Sequence, residues 1–349
     1  MPYSSVPVTV IVTLTAGVAV AQDWSTVPMI EHAAYQAVNA NGTSAYDNSF
    51  PVRLRGVVLN NSEDWLDPTP AYSVQTQWPP PPKMGGEAEI YVQAIDLDGS
   101  AWDPHPGAAF DDFGGTAAWI GQNYGNLPFK SDPIFSYSDS EWTAELGRMN
   151  LLGGAGVSDP IRAGDLVEIR ARGGLHYKGK MNVNEQHSKE AANDFEIVLL
   201  QQGYGLPAAT PLTLADIKDA SDAFIFDPTR TTGGERYQST LVDLRNVWIE
   251  SPADFSANSD ITVTDGTRTF HVHLGLNPSF DGTPLFDADE PFHVTGIFDQ
   301  SATDGTFSAD GYQLLVMHAD DFRAVPEPAT ALCVLTGLVL VARHRNTRR

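Results

Sequence analysis

Cysteine is almost missing from this chain. One occurs in 349 residues, Cys333, and it lies inside an apolar run near the C-terminus. The part before that run therefore has neither a disulfide nor a thiolate metal site, and its fold must rest on packing and hydrogen bonds. Positive charge is scarce as well: 21 Lys and Arg stand against 44 Asp and Glu, a formal net charge of −23. Setting aside the terminal Arg343, Arg345, Arg348 and Arg349 together with Glu327 leaves the rest at −26. Such a surface repels phosphate backbones and anionic lipids at long range, which argues against nucleic acid as a partner. No GxSxG, HExxH or cysteine nucleophile occurs in the body of the chain, and its carboxylates are too many to single out a glycosidase pair. Nothing here argues for an enzyme. At 42 % apolar and 10 % aromatic, the composition supports a buried core rather than disorder.

The two ends carry the clearest signals. Val6 to Ala21 is an apolar run without charge, ending Ala19-Val20-Ala21 before Gln22-Asp23. That is the core and the small-x-small cleavage site of a secretory signal, with only the terminal amine as its positive end. At the other end Val325-Pro326-Glu327-Pro328 precedes fourteen apolar residues, Ala329 to Ala342, and then RHRNTRR. Fourteen helical residues reach about 21 Å, a marginal span whose arginines would hold its end in the cytoplasm. Pro-Glu-Pro, short membrane segment and terminal Arg343, Arg345, Arg348 and Arg349 closely resemble the PEP-CTERM sorting signal. The resemblance implies export by a Gram-negative bacterium, transient anchoring in the inner membrane and processing by an exosortase-like enzyme. It also implies a place at the cell surface or in the extracellular matrix, with extracellular polysaccharide as the associated partner.

Between the ends, short strands alternate with Gly, Asp, Asn and Pro turns. A helix is expected around 28–38, where Ile30, Ala33, Ala34 and Val38 share a face. The clearest strands are Val242–Ile249, Ile261–Thr264, Thr267–Leu274, Pro291–Phe298 and Gly311–His318. Phe270, Val272 and Leu274 alternate with Thr269, His271 and His273. Five such strands are what a small closed barrel requires. A looser copy runs earlier through Val52–Leu59, Ala88–Ala94, Ala117–Ile120, then LVEIRAR opened by Ala163-Gly164-Asp165, a turn, YKGKMNV and the closing FEIVLL, Phe195–Leu200; AGDLVEIRARGGLHYKGK and FEIVLL carry the likeness. Together the two stretches resemble the OB-fold. The expected architecture is mainly β: a signal over 1–21, an N-terminal segment over 22–49 and OB-like domains over 50–202 and 235–322. A linker over 203–234 with a short helix at Leu214–Lys218 joins the domains, and the sorting segment fills 325–349.

Candidate chemistry is sparse. Gly174 to Lys180 matches the start of a phosphate-binding loop, but Met181 follows and the segment joins two strands, so a hairpin turn is the reading. Arg170, Arg172, His176, Tyr177, Lys178 and Lys180 form a basic and aromatic stretch of the kind that lets OB-folds hold single strands. Its alternation with Ile169 and Ala171 suits a solvated strand face as well. His271, His273, His293 and His318 suggest a zinc site, yet no carboxylate is spaced to support them, and an outer polar face is the better account. The clusters Asp96-Leu-Asp98, Asp111-Asp112 and Asp287-Ala-Asp289-Glu290 offer calcium-type oxygens without EF-hand spacing, and solvated loops explain them more simply. The reading is a surface or matrix protein that binds rather than catalyses, needing no cofactor. A nucleic-acid-binding module and an extracellular hydrolase are the alternatives.

Overall fold

The computed structural model describes residues 22–47, 49–67, 87–97, 99–105, 112–121, 139–151, 160–185, 190–250, 255–287, 290–303 and 309–325. The signal run with Ala19 and Ala21, and the sorting segment from Pro326 onward, lie outside them. Among the described residues no helix is long and apolar enough to cross a membrane.

The first sheet is built from β1 (Val52–Val58), β2 (Leu66–Asp67), β3 (Glu87–Gln93), β4 (Gly115–Gly121), β5 (Leu166–Ala171), β6 (Gly174–Tyr177), β7 (Lys180–Asn184) and β8 (Glu196–Gln201). Its order is β6-β7-β4-β3-β1-β5-β8, with β2 beside β3; all neighbours are antiparallel except β4 and β7. Period-two burial sets one face. Val52 and Leu54 of β1, Ile90 and Val92 of β3, Ala118 and Ile120 of β4, and Val167 and Ile169 of β5 enter one apolar core. Gly56 lets β3 pass close to β1, since a Cβ there would stand 2.2 Å from the carbonyl oxygen of Gln93.

The second sheet holds β9 (Thr210–Leu212), β10 (Thr240–Ile249), β11 (Asp260–Thr264), β12 (Thr269–Leu274), β13 (Phe292–Gln300), β14 (Tyr312–Val316) and β15 (Phe322–Ala324). Pairing runs β10-β11-β12-β14-β13 and returns to β10, so five strands close into a barrel. Strand β12 has the expected phase: Phe270, Val272 and Leu274 are buried, while Thr269, His271 and His273 face outward. Phe270 stacks on Phe298 with centroids 5.8 Å apart, and Tyr312 covers them from β14. Closure removes the free edges that β10 and β13 would otherwise expose.

Two expectations are corrected. Phe195–Leu200 does not close the first sheet: β8 lies outside β5, and the strand parallel to β4 is β7. Strand β7 falls in the expected stretch YKGKMNV; the alternation of Met181 and Val183 with Lys180 and Asn182 sets its faces but not its partner. The N-terminal helix shrinks to one turn, α1 (His32–Tyr35), which buries His32 and Tyr35 rather than Ala33 and Ala34. Met29 bridges in parallel to Arg53 just before it, and Val38 bridges to Ser44 just after, so strand pairing takes residues a longer helix would need. A ten-residue helix, α2 (Asp139–Arg148), had no forecast; it sends Leu146 into the first core. Segment 203–234 does contain the expected helix, α3 (Leu214–Ile217), and also β9, which pairs in parallel with β10. Helix α3 repeats α1 in setting: Lys218 bridges to Phe224 as Val38 does to Ser44. Each sheet thus receives the same lead-in, a parallel segment, one helical turn and a small hairpin.

The two sheets meet through their outer faces. Leu59, Tyr91 and Ala117 of the first pack on Leu241, Ile297 and Leu315 of the second. Gly115 stands at the joint, where a Cβ would come within 2.1 Å of the Ser239 carbonyl oxygen.

Candidate functional site

Where the outer faces diverge they leave a cleft of about 340 Å³. One wall comes from the first sheet: Glu89 and Tyr91 on β3, Trp119 directly opposite Glu89 on β4, and Trp65 just before β2. The other comes from the barrel: Asp260 on β11, His271 and His273 on β12, Asp299 on β13, and Gln313 and Leu315 on β14. Every strand residue among these is the outward member of a period-two pattern whose inward members fill the cores.

Its charges are held by partners. Lys180 reaches across from β7 with its ammonium between Asp299 and Glu89, 3.2 Å from the latter, and donates to the Tyr91 hydroxyl at 3.3 Å. Burial alone would lower the lysine, but Asp299 and Glu89 more than offset it and raise its pKa; burial raises Glu89. Asp299 also accepts from the Gln313 amide at 3.0 Å. On the barrel wall Asp260 Oδ1 lies 2.6 Å from His273 Nδ1 and 3.2 Å from His271 Nε2. Trp65 leans over His273 with centroids 5.6 Å apart. The cleft thus offers the indoles of Trp65 and Trp119, and it is lined by three carboxylates and two imidazoles, with the Lys180 ammonium held by Glu89 and Asp299.

The histidine expectation changes accordingly. Asp260, in register with His273 on the neighbouring strand, is the carboxylate the linear spacing did not reveal. His293 accepts from the Asn246 amide at a β10 bulge, and His318 pairs with Asn277, so neither joins the other two. The predicted basic stretch is dispersed too. Glu168, almost fully buried, takes Arg53, Arg55 and Arg170 at once, which holds its carboxyl below the usual range despite burial. Arg172 binds Glu196 and lies over Trp24; Lys178 reaches Ser301; Lys180 is buried against Glu89 and Asp299; His176 is half-buried; Tyr177 is exposed. Lys178 and Gly179 both have positive φ and form the two-residue hairpin turn expected between Tyr177 and Lys180. Of the acidic clusters, Asp112 caps α1 by accepting from the His32 and Ala33 amides; Asp98, Asp111 and Asp289 lie outside the described residues. Glu145, Glu185 and Asp194 converge closely enough to suggest a cation site, but Arg148 already pairs with all three.

A second polar network locks the joint. Tyr312 donates to Glu235 at 2.6 Å and Gln238 donates to its other oxygen at 3.1 Å. Arg230 donates to the Ala33 and Glu235 carbonyl oxygens and lies 4.9 Å over Phe113. Burial pushes the Glu235 carboxyl up to about 7 from an ordinary 4.5. The folded chain therefore keeps this proton to higher pH than the unfolded one. Its contribution to stability is complete below about pH 4.5 and is lost as pH rises to about 7. A shift of that size corresponds to roughly 3 kcal/mol. Asp64, raised by burial to about 6, acts in the same direction. The denaturant midpoint should fall between pH 5 and pH 8, and Glu235→Gln should flatten most of that slope. An unchanged slope in the variant would remove Glu235 as its source.

Neither a protein-family model nor a curated protein sequence matches this chain. Among solved structures, replication protein A bound to single-stranded DNA, described as a heterotrimer, has 10 % identity and a TM-score of 0.25 over 81 % of this chain. The match spans 53 % of that structure's chain, about half its length.

Proposed function

We propose that this chain is an exported bacterial cell-surface protein of two OB-like barrels that holds extracellular polysaccharide in the cleft between them without transforming it. The observation that carries the proposal is the cleft itself. Two tryptophans and a tyrosine line a concavity together with carboxylates, amides, imidazoles and two leucines, a setting for a ligand with flat apolar faces and many hydroxyls. The second barrel in the proposal rests on pairing order. β1-β3-β4-β7 repeats β10-β11-β12-β14, and β5 with β6 takes the place of β13, β5 beside β1 and β6 beside β7. Export rests on the two ends of the sequence: Ala19 and Ala21 as the cleavage site, and Val325-Pro326-Glu327-Pro328 with the terminal arginines as the handle for an exosortase-like enzyme.

One experiment on washed cells of an exosortase-competent host tests location and partner together. The protein should be released by polysaccharide-degrading enzymes rather than by detergent, and its intact mass should lack Ala329 to Arg349. Release by detergent alone, of a species still carrying that segment, would overturn the proposal.

A further inference from the structure

Resting on the polysaccharide reading above, we infer that the cleft selects uncharged polysaccharide and rejects polymers bearing acidic groups. Hydrogen-bond chemistry is the first argument. Glu89, Asp260 and Asp299 bring acceptor oxygens to the walls, while the strongest donor, the Lys180 ammonium, is already shared among Asp299, Glu89 and Tyr91. An ionised carboxylate only accepts, so the ligand must supply donors. Sugar hydroxyls donate; uronate, sulfate and phosphate groups only accept and would meet the same kind of atom.

Charge is the second argument. Three carboxylates and two imidazoles line a space of about 340 Å³, with the Lys180 ammonium paired to Glu89 and Asp299, so Asp260 leaves the cleft negative within a chain of net charge −23. An acidic group on the ligand would stand well inside the screening distance of about 8 Å at physiological salt, where like charges across an interface weaken binding strongly. Asp260 dominates this effect because its side chain is 59 % exposed, far more than Glu89 or Asp299. The aromatic surfaces are the third. Trp65 and Trp119 come from the first sheet and face the barrel, so a sugar's C–H face can lie on an indole while its hydroxyls reach the opposite carboxylates. Aromatic contact carries no charge requirement of its own, so the carboxylates decide which polymer enters.

The test is affinity electrophoresis of the full chain in gels holding dextran, galactomannan, xylan or hydroxyethyl cellulose, each beside its own carboxymethylated form. At least one neutral polymer should retard the protein, and its carboxymethylated form should bind at least tenfold more weakly. Trp119→Ala should lose the retardation by a similar factor. Asp260→Lys, at a position whose side chain is 59 % exposed, should gain retardation by the carboxymethylated polymer. Equal retardation of the unaltered protein by a polymer and its carboxymethylated form would overturn the selectivity and leave the polysaccharide reading standing. Failure of all eight gels to retard it would overturn the polysaccharide reading itself, and tight retention by oligothymidylate at physiological salt would replace it with nucleic acid.

Discussion

Val272→Asp should abolish the cooperative unfolding of the barrel. Val272 is fully buried on β12, between Ile261 on β11 and Leu314 on β14, and its neighbours are apolar. A carboxylate there has no cation within the core and must either ionise unpaired or fold protonated; either route costs several kcal/mol, a large share of a typical domain's stability. His271→Gln, one residue away on the outward face, should leave the transition within about 0.5 kcal/mol, as surface changes usually do. Circular dichroism during urea unfolding gives both values. If the two variants lose stability equally, the strand phase assigned to β12 is wrong.

Lys180→Ala should be nearly as damaging, by a different route. Its ammonium is the cation shared by Asp299 and Glu89, and its side chain is 10 % exposed. Removing it leaves Asp299, itself 3 % exposed, beside the Gln313 amide and the Tyr91 hydroxyl but without its cation. Breaking a buried pair in this way costs about 3–5 kcal/mol. The loss arises at the junction, because Lys180 belongs to β7 of the first sheet and Asp299 to β13 of the second. Lys180→Ala with Asp299→Asn should recover a large part of it, since the stranded charge is then gone. A double variant no more stable than the single one would show that the lysine acts through packing on Tyr91 rather than through Asp299.

Strand positions were legible in the chain because alternation with period two is a local property. Phe270, Val272 and Leu274 announce an inward face whatever their strand pairs with. The hairpin at Lys178-Gly179 was legible for the same reason, since two residues set its geometry. Strand β7 was legible within YKGKMNV, with Met181 and Val183 inward, but its pairing with β4, distant in sequence, was not.

The cleft was less legible still. Glu89, Trp119, Asp260, His271 and His273 each read as an outward residue on a solvated strand, and within its own sheet each is one. The sequence by itself determined the inward faces and the acidic balance, both of which depend on residue type and short spacing. Tertiary structure decided what the outward faces meet. Leu59 and Tyr91 bury against Ile297 and Leu315, and that contact turns two polar surfaces into the facing walls of one cleft. Pairing between faces depends on how twisted sheets stack and on close approaches such as those at Gly115 and Gly179, and neither leaves a periodic trace along the chain.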